Sequence, residues 1–202
     1  MPANRRTAAL PMYDLAELRA ATDAWWTGIA RHLRAAGLDA VPESLSRPDD
    51  LAAVWDDPDL VIGQGCGYPL THAYAQAWHY LATPVYAAPG CSGASYRSWL
   101  VVAADAGVRS AAELRGGVAA VNAPDSHSGC LALRAALAVH ASAPGPAFAD
   151  VLWTGGHRAS LRAVAAGRAD VAAVDCVTHA LMAAHAPEAL AGTRVLAGSP
   201  TA

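Results

Sequence analysis

The stretch GVAAVNAPDSHSGCLALRAALAVHA, residues 117–141, decides the fold class. Gly117–Asn122 reads as a short apolar strand, Ala123–His127 as a polar turn of small residues, and Ser128–Ala141 as a helix. The same strand–turn–helix order recurs twice downstream. Ala147–Trp153 is a strand candidate, followed by Thr154-Gly155-Gly156 and a helix over His157–Ala166. Ala169–Val174 is another, followed by Asp175 and a helix over Cys176–His185. Working outward, Thr7–Met12, Asp59–Gly63, Leu81–Tyr86, Ser98–Ala103 and Thr193–Leu196 read as further strands, and Ser110–Leu114 as a short helix. Asp14-x-x-Glu17 has the form of a capping box. Apolar residues at 15, 18, 25, 26, 29 and 33 then form a helical stripe that Gly37 stops. Strands alternating with helices predict α/β layers around mainly parallel sheets. The Pro/Gly-dense stretch 84–93 is the predicted crossing between two lobes.

Composition narrows the function classes. The chain has 202 residues, 54% hydrophobic and only 15% charged, so it can bury a core and is not a disordered chain. Its 14 Lys and Arg residues are scattered against 17 Asp and Glu, which argues against a nucleic-acid footprint. No apolar run reaches the roughly 18–20 residues of a membrane span. Arg5 and Arg6 precede a short apolar run that stops at Asp14, too short for the core of an export signal. The sequence as written therefore predicts a cytoplasmic location, or a periplasmic one if its start is incomplete. Cys66, Cys91, Cys130 and Cys176 form no close pair in sequence, so neither a zinc ribbon nor a thioredoxin motif is expected, and they read as buried thiols. No metal site and no cofactor is expected. The six tryptophans read as core or hinge packing.

The three turns supply the chemistry. A first helical turn has free backbone N–H groups, and with the hydroxyls of Ser126 and Ser128 those suit an oxyanion; plain N-capping by either serine is the alternative. His157 stands at a helix start after two glycines, where its ring can donate to a ligand oxygen or serve as an ordinary polar residue. Asp175 at a strand end is either a helix cap or an acceptor for a P–OH or an ammonium group. All three lie at carboxyl ends of strands, where open α/β sheets place ligands. Tyr96, Tyr13 and the turn at Gln64 can add polar contacts, or anchor loops. A catalytic reading is the alternative: Ser126, His157 and Asp175 supply triad residue types, and Cys66 or Cys91 a nucleophile, but no nucleophile-elbow signature is present.

The series LPMYD (10–14), GQGCGYPL (63–70), YRSWLVV (96–102), AELRGGVAAVNAPDSHSG (112–129) and GGHRASLRAVAAGRADVAAVD (155–175) resembles the PhnD-like periplasmic binding proteins of phosphonate, phosphite and phosphate ABC transporters. The resemblance runs from about Leu10 to Leu196. It implies a type 2 periplasmic-binding-protein fold: two α/β lobes, with a ligand cleft and a hinge. The family's hydroxyl-rich turn matches Ser126-His127-Ser128-Gly129, with His127 in place of the usual middle hydroxyl residue. Its cleft tyrosine, histidine and acid match Tyr96, His157 and Asp175, and Tyr13 matches more loosely. Lobe one is expected from 1–86 plus 186–202, reduced at its C-terminal end, and lobe two from 87–185. The implied partners are a small oxyanion and an ABC permease, with a dimer as one way to cover an incomplete first lobe. The implied function is uptake-linked solute binding. A ligand-sensing domain of the same fold without a transporter, and a hydrolase or transferase, are the alternatives.

Overall fold

The computed structural model describes residues 6–140 and 146–201. Two compact units result, Met1–Cys66 and Gly67–Ala202.

In the first unit, β1 (Thr7–Ala9) pairs in parallel with β2 (Leu60–Gly63). β1 is shorter than the predicted Thr7–Met12. Pro11 has no N–H for a ladder, and a 3-10 turn, Pro11–Tyr13, takes over. The capping box does not form: Asp14 instead accepts from Arg47, and the helix α1 (Arg19–Ala35) begins without a side-chain cap. The helix ends as expected, with Gly37 at φ +85°. Trp26 of its stripe, together with Ala30, packs with Ala8, Leu10, Val41 and Leu45, and Ile29 and Leu33 of the stripe lie against them. Trp25 is 48% exposed, so it is not the core residue the sequence suggests. A short helix that the sequence reading did not anticipate, α2 (Leu51–Trp55), is capped by Asp50, whose carboxylate accepts from the Ala52 N–H.

The second unit opens with a short helix, α3 (Gly67–Thr71), and is built on a five-stranded sheet in the order β5-β4-β6-β3-β7. The strands are β3 (Ser98–Ala103), β4 (Val118–Val121), β5 (Asp150–Trp153), β6 (Val171–Asp175) and β7 (Thr193–Gly198). β5, β4 and β6 run in parallel, and β3 is antiparallel to both β6 and β7. Side-chain alternation then distributes the core. Ala119, Val121, Val171 and Ala173 face α4 (Ala132–Ala138) through Leu133, Ala136 and Leu137. Ala120 and Ala172 face α5 (His157–Ala165) through Ala163 and Val164. The alanines let that helix sit close to the sheet. A third helix, α6 (Cys176–His185), follows β6 directly.

Five expectations are corrected. Residues 186–202 do not join the first unit, because β7 pairs with β3 from Trp99↔Gly198 to Ala103↔Thr193. Arg194 fixes that edge by donating to the Ala106 and Val108 carbonyls at 2.8 and 2.7 Å. Residues 67–86 also belong to the second unit. Leu81–Tyr86 is not a strand: Leu81 and Val85 are exposed, and Pro84 lacks the N–H that a ladder needs. The helix placed over Ser128–Ala141 starts as a π-type turn, His127–Leu131, before α4; Ala141 lies outside the described residues. Trp153 is 55% exposed rather than packed.

Candidate oxyanion site

The parallel strands β4, β5 and β6 end on one edge of the second sheet, and the three polar turns follow from those ends. The antiparallel β3 starts on that same edge, since Ser98 lies opposite Asp175. The direction of β3 therefore brings Tyr96 to the turn after β4, where its ring stands 6.1 Å from that of His127. The sequence pattern carried no sign of this strand direction.

Within the turn, Ser126 caps the π-type turn, its Oγ accepting from the Gly129 N–H at 3.0 Å. Ser126, Ser128 and Gly129 are buried. Ser128 Oγ lies 3.1 Å from His157 Nε2, and Asp175 Oδ2 lies 3.3 Å from the same nitrogen. Asp175 also caps α6, with Oδ1 accepting from the Thr178 N–H at 2.7 Å. The cap and the cleft acceptor, posed as alternatives by the sequence, are thus served by different oxygens of one carboxylate. Ser126 is a cap, while Ser128 is engaged with the histidine. His127 is half-buried beside Tyr96. Tyr13 and Gln64 belong to the first unit; Gln64 is held by its backbone, its N–H donating to the Ala9 carbonyl and its carbonyl accepting from Trp55 Nε1.

Two residues escaped the sequence reading. Asn122, at the end of β4, holds Oδ1 buried with no hydrogen-bond partner. Its Cγ lies 2.8 Å from where a Cβ on Gly129 would stand, and its Oδ1 lies closer still. Ser98, opposite Asp175, also has a buried unpartnered hydroxyl. Asn before Ala-Pro at a strand end was the available signal for the first. Ser98 had none, because its place depends on strand pairing.

The same geometry bears on catalysis. In a hydrolytic triad the acid holds one ring nitrogen while the nucleophile uses the other. Here Ser128 and Asp175 both address Nε2, and His157 Nδ1 makes no well-formed hydrogen bond, although the Ala173 carbonyl lies near enough to favour a charged ring. One nitrogen cannot accept from a serine and donate to a carboxylate at once, so Ser128, His157 and Asp175 lack the orientation a triad needs; Ser126, the serine of the sequence-based triad, is instead the cap of the π-type turn. Among the described residues, no group of three or more His, Cys, Asp or Glu side chains could hold a metal. Nor is any helix among them long and apolar enough to cross a membrane.

Burial pushes the His157 imidazole below its ordinary range, against the opposing pull of the Asp175 carboxylate and the Ala173 carbonyl. Burial lowers His127 and His179 as well. Each of these rings is then easier to protonate in the unfolded chain. The stability they contribute is fully present above the ordinary histidine pKa of about 6.5 and is lost as pH falls from there toward the folded values. Thermal melts are expected to show a lower midpoint at pH 5.5 than at pH 7.5; an unchanged or higher midpoint would contradict the burial of these rings.

A mixed sheet flanked by helices, with hydroxyl, imidazole and carboxylate groups gathered where its parallel strands end, is the architecture of the type 2 periplasmic-binding-protein fold. The fold is shared with the binding-protein component of an ABC phosphonate transporter from Pseudomonas aeruginosa, at TM-score 0.68 and 21% identity over 96% of this chain. The chain spans 65% of that protein's length. A weaker likeness, TM-score 0.45 and 15% identity over 52% of this chain and 41% of the other, is to PhnD1 from Prochlorococcus marinus, solved with methylphosphonate. No curated protein matches the chain. The family model described as "ABC transporter, phosphonate, periplasmic substrate-binding protein" matches residues 9–202, and the chain belongs to that family.

Proposed function

We propose that the chain binds a small oxyanion of the phosphonate, phosphite or phosphate kind and presents it to an ABC permease in the periplasm. The observation that carries this reading is the meeting of Ser128, His157 and Asp175 within hydrogen-bond distance at the edge where three parallel strands end. Ligand oxygens are held by the turn Ser126-His127-Ser128-Gly129, by the Tyr96 hydroxyl and by the His157 ring. The Asp175 carboxylate repels a fully ionised dianion but accepts from a P–OH or an ammonium group, so it selects protonation state and substituent. In the first unit, Tyr13 by its looser family match and Gln64 by its polar turn are proposed as candidate ligand residues. The family is one of transport proteins, and the shared use of His157 Nε2 favours binding over catalysis.

Isothermal titration of the folded chain against phosphate, phosphite, methylphosphonate and 2-aminoethylphosphonate tests the reading. At least one is expected to bind below millimolar concentration. If none does, the oxyanion assignment fails. Asp175→Asn is expected to keep the fold, since an amide oxygen still caps α6, but to change the order of preference among the four ligands. An unchanged order would remove the selecting role from Asp175.

A further inference from the structure

Two cysteines that look unrelated in sequence meet beside the site. Cys91 Sγ and Cys176 Sγ stand 3.5 Å apart, although 85 positions separate them, and none of the four cysteines is in a disulfide. Cys176 opens α6 immediately after Asp175, is fully buried, and donates its N–H to the Arg97 carbonyl at 3.0 Å. Cys91 is only half-buried and sits in the turn Ala87–Ser95, where its N–H donates to the Ala88 carbonyl. Gly90, at φ +100°, presses this turn onto the same junction: a Cβ there would lie 2.9 Å from both Cys176 Cβ and Trp99 Cζ2. The backbone therefore already holds the two thiols at contact, and little movement separates them from bonding distance.

We infer that Cys91 and Cys176 form a reversible disulfide that ties the 87–95 turn to the strand–helix junction carrying Asp175. The oxidant is a disulfide of the surroundings, either low-molecular-weight or on an oxidoreductase. The Cys91 thiolate attacks one sulfur of that disulfide, which releases one thiolate and leaves a mixed disulfide on Cys91. Cys176 then gives up its proton and attacks Cys91 Sγ, releasing the second thiolate. The two protein thiols are oxidised by two electrons, and the external disulfide is reduced to two thiols. Exposure assigns the first attack to Cys91. Burial pushes the Cys176 thiol up to about 11, so the second step is the slow one and quickens with rising pH.

The test is a thiol count on the full chain unfolded after incubation with oxidised glutathione at pH 8. The reduced chain has four titratable thiols, and the oxidised one is expected to have two. C66S/C130S, which keeps only the pair, is expected to lose both its thiols without forming dimers. C91S, altered at the more exposed partner, is expected to keep its remaining thiols free of an internal bond. Oxidation should raise the melting midpoint of the wild type by about 5 °C or more and leave that of C91S unchanged. Retention of both thiols in C66S/C130S overturns the assignment. If that variant does not fold, an equal loss of internal thiols in the wild type and C91S overturns it instead. The count needs no ligand, so it stands or falls apart from the oxyanion reading.

Discussion

Gly129→Ala is expected to weaken phosphonate binding by a hundredfold or more and to destabilise the second unit by about 1–3 kcal/mol. The added methyl would overlap Asn122 Oδ1, with Asn122 Cγ at 2.8 Å and Ser126 Oγ at 3.3 Å. The turn cannot retreat freely, because the Gly129 N–H is bonded to Ser126 Oγ and the Cys130 and Leu131 N–H groups both reach the Ser126 carbonyl. Either Asn122 is displaced or the turn opens, and both disturb the groups assigned to the oxyanion. The companion change is Asn122→Ala. Asn122 Oδ1 has no hydrogen-bond partner, so its removal relieves the overlap without breaking a bond. Gly129→Ala/Asn122→Ala should therefore recover most of the stability, a coupling that urea melts of the two single variants and the pair will measure. Wild-type melting and binding in Gly129→Ala would refute the tight packing of this turn.

His157→Ala should cost about 2–3 kcal/mol of stability, by removing a hydrogen-bond partner from a buried carboxylate, and should reduce oxyanion affinity about a hundredfold. Asp175 is 5% exposed and would retain only the Thr178 N–H, while Ser128 Oγ would lose its contact with the ring. Adding Asp175→Asn separates the two effects. A neutral amide is less costly than a carboxylate to bury short of one hydrogen-bond donor, so the double variant should regain stability but not affinity. Chemical denaturation and calorimetric titration of the same preparations report the two quantities independently. If affinity returned along with stability, His157 would be a positioning residue for Asp175 rather than a ligand contact.

The path from sequence to site was uneven, for physical reasons. Local signals served well where a segment's structure depends on its own residues. Ser98–Ala103 and Cys176–His185 stand within the bounds the pattern set, and Gly37 ends α1 in the left-handed conformation that favours glycine. Local signals failed where a distant partner decides. Leu81–Tyr86 has strand-like residues but pairs with neither sheet. Asp14 and Glu17 have the spacing of a capping box, yet Arg47, 33 positions away, takes Asp14. Thr193–Leu196 has strand character, but its expected place in the first unit fails, because strand character says nothing about which neighbour will supply the ladder.

The sequence by itself determined the α/β class, the order of the strand–turn–helix units and, through its motif series, the family of phosphonate ABC transporter substrate-binding proteins. It also named most of the polar residues gathered at the strand ends, because side chains that follow parallel strands must emerge on one edge of their sheet. Tertiary structure alone decided that β3 runs against its neighbours and so delivers Tyr96 to His127, that one histidine nitrogen serves both Ser128 and Asp175, and that Cys91 meets Cys176. Each of these brings together residues well beyond the reach of one helical turn or hairpin, up to 85 positions apart for the two cysteines. Such contacts are fixed by strand direction and core packing, and no local period along the chain encodes them.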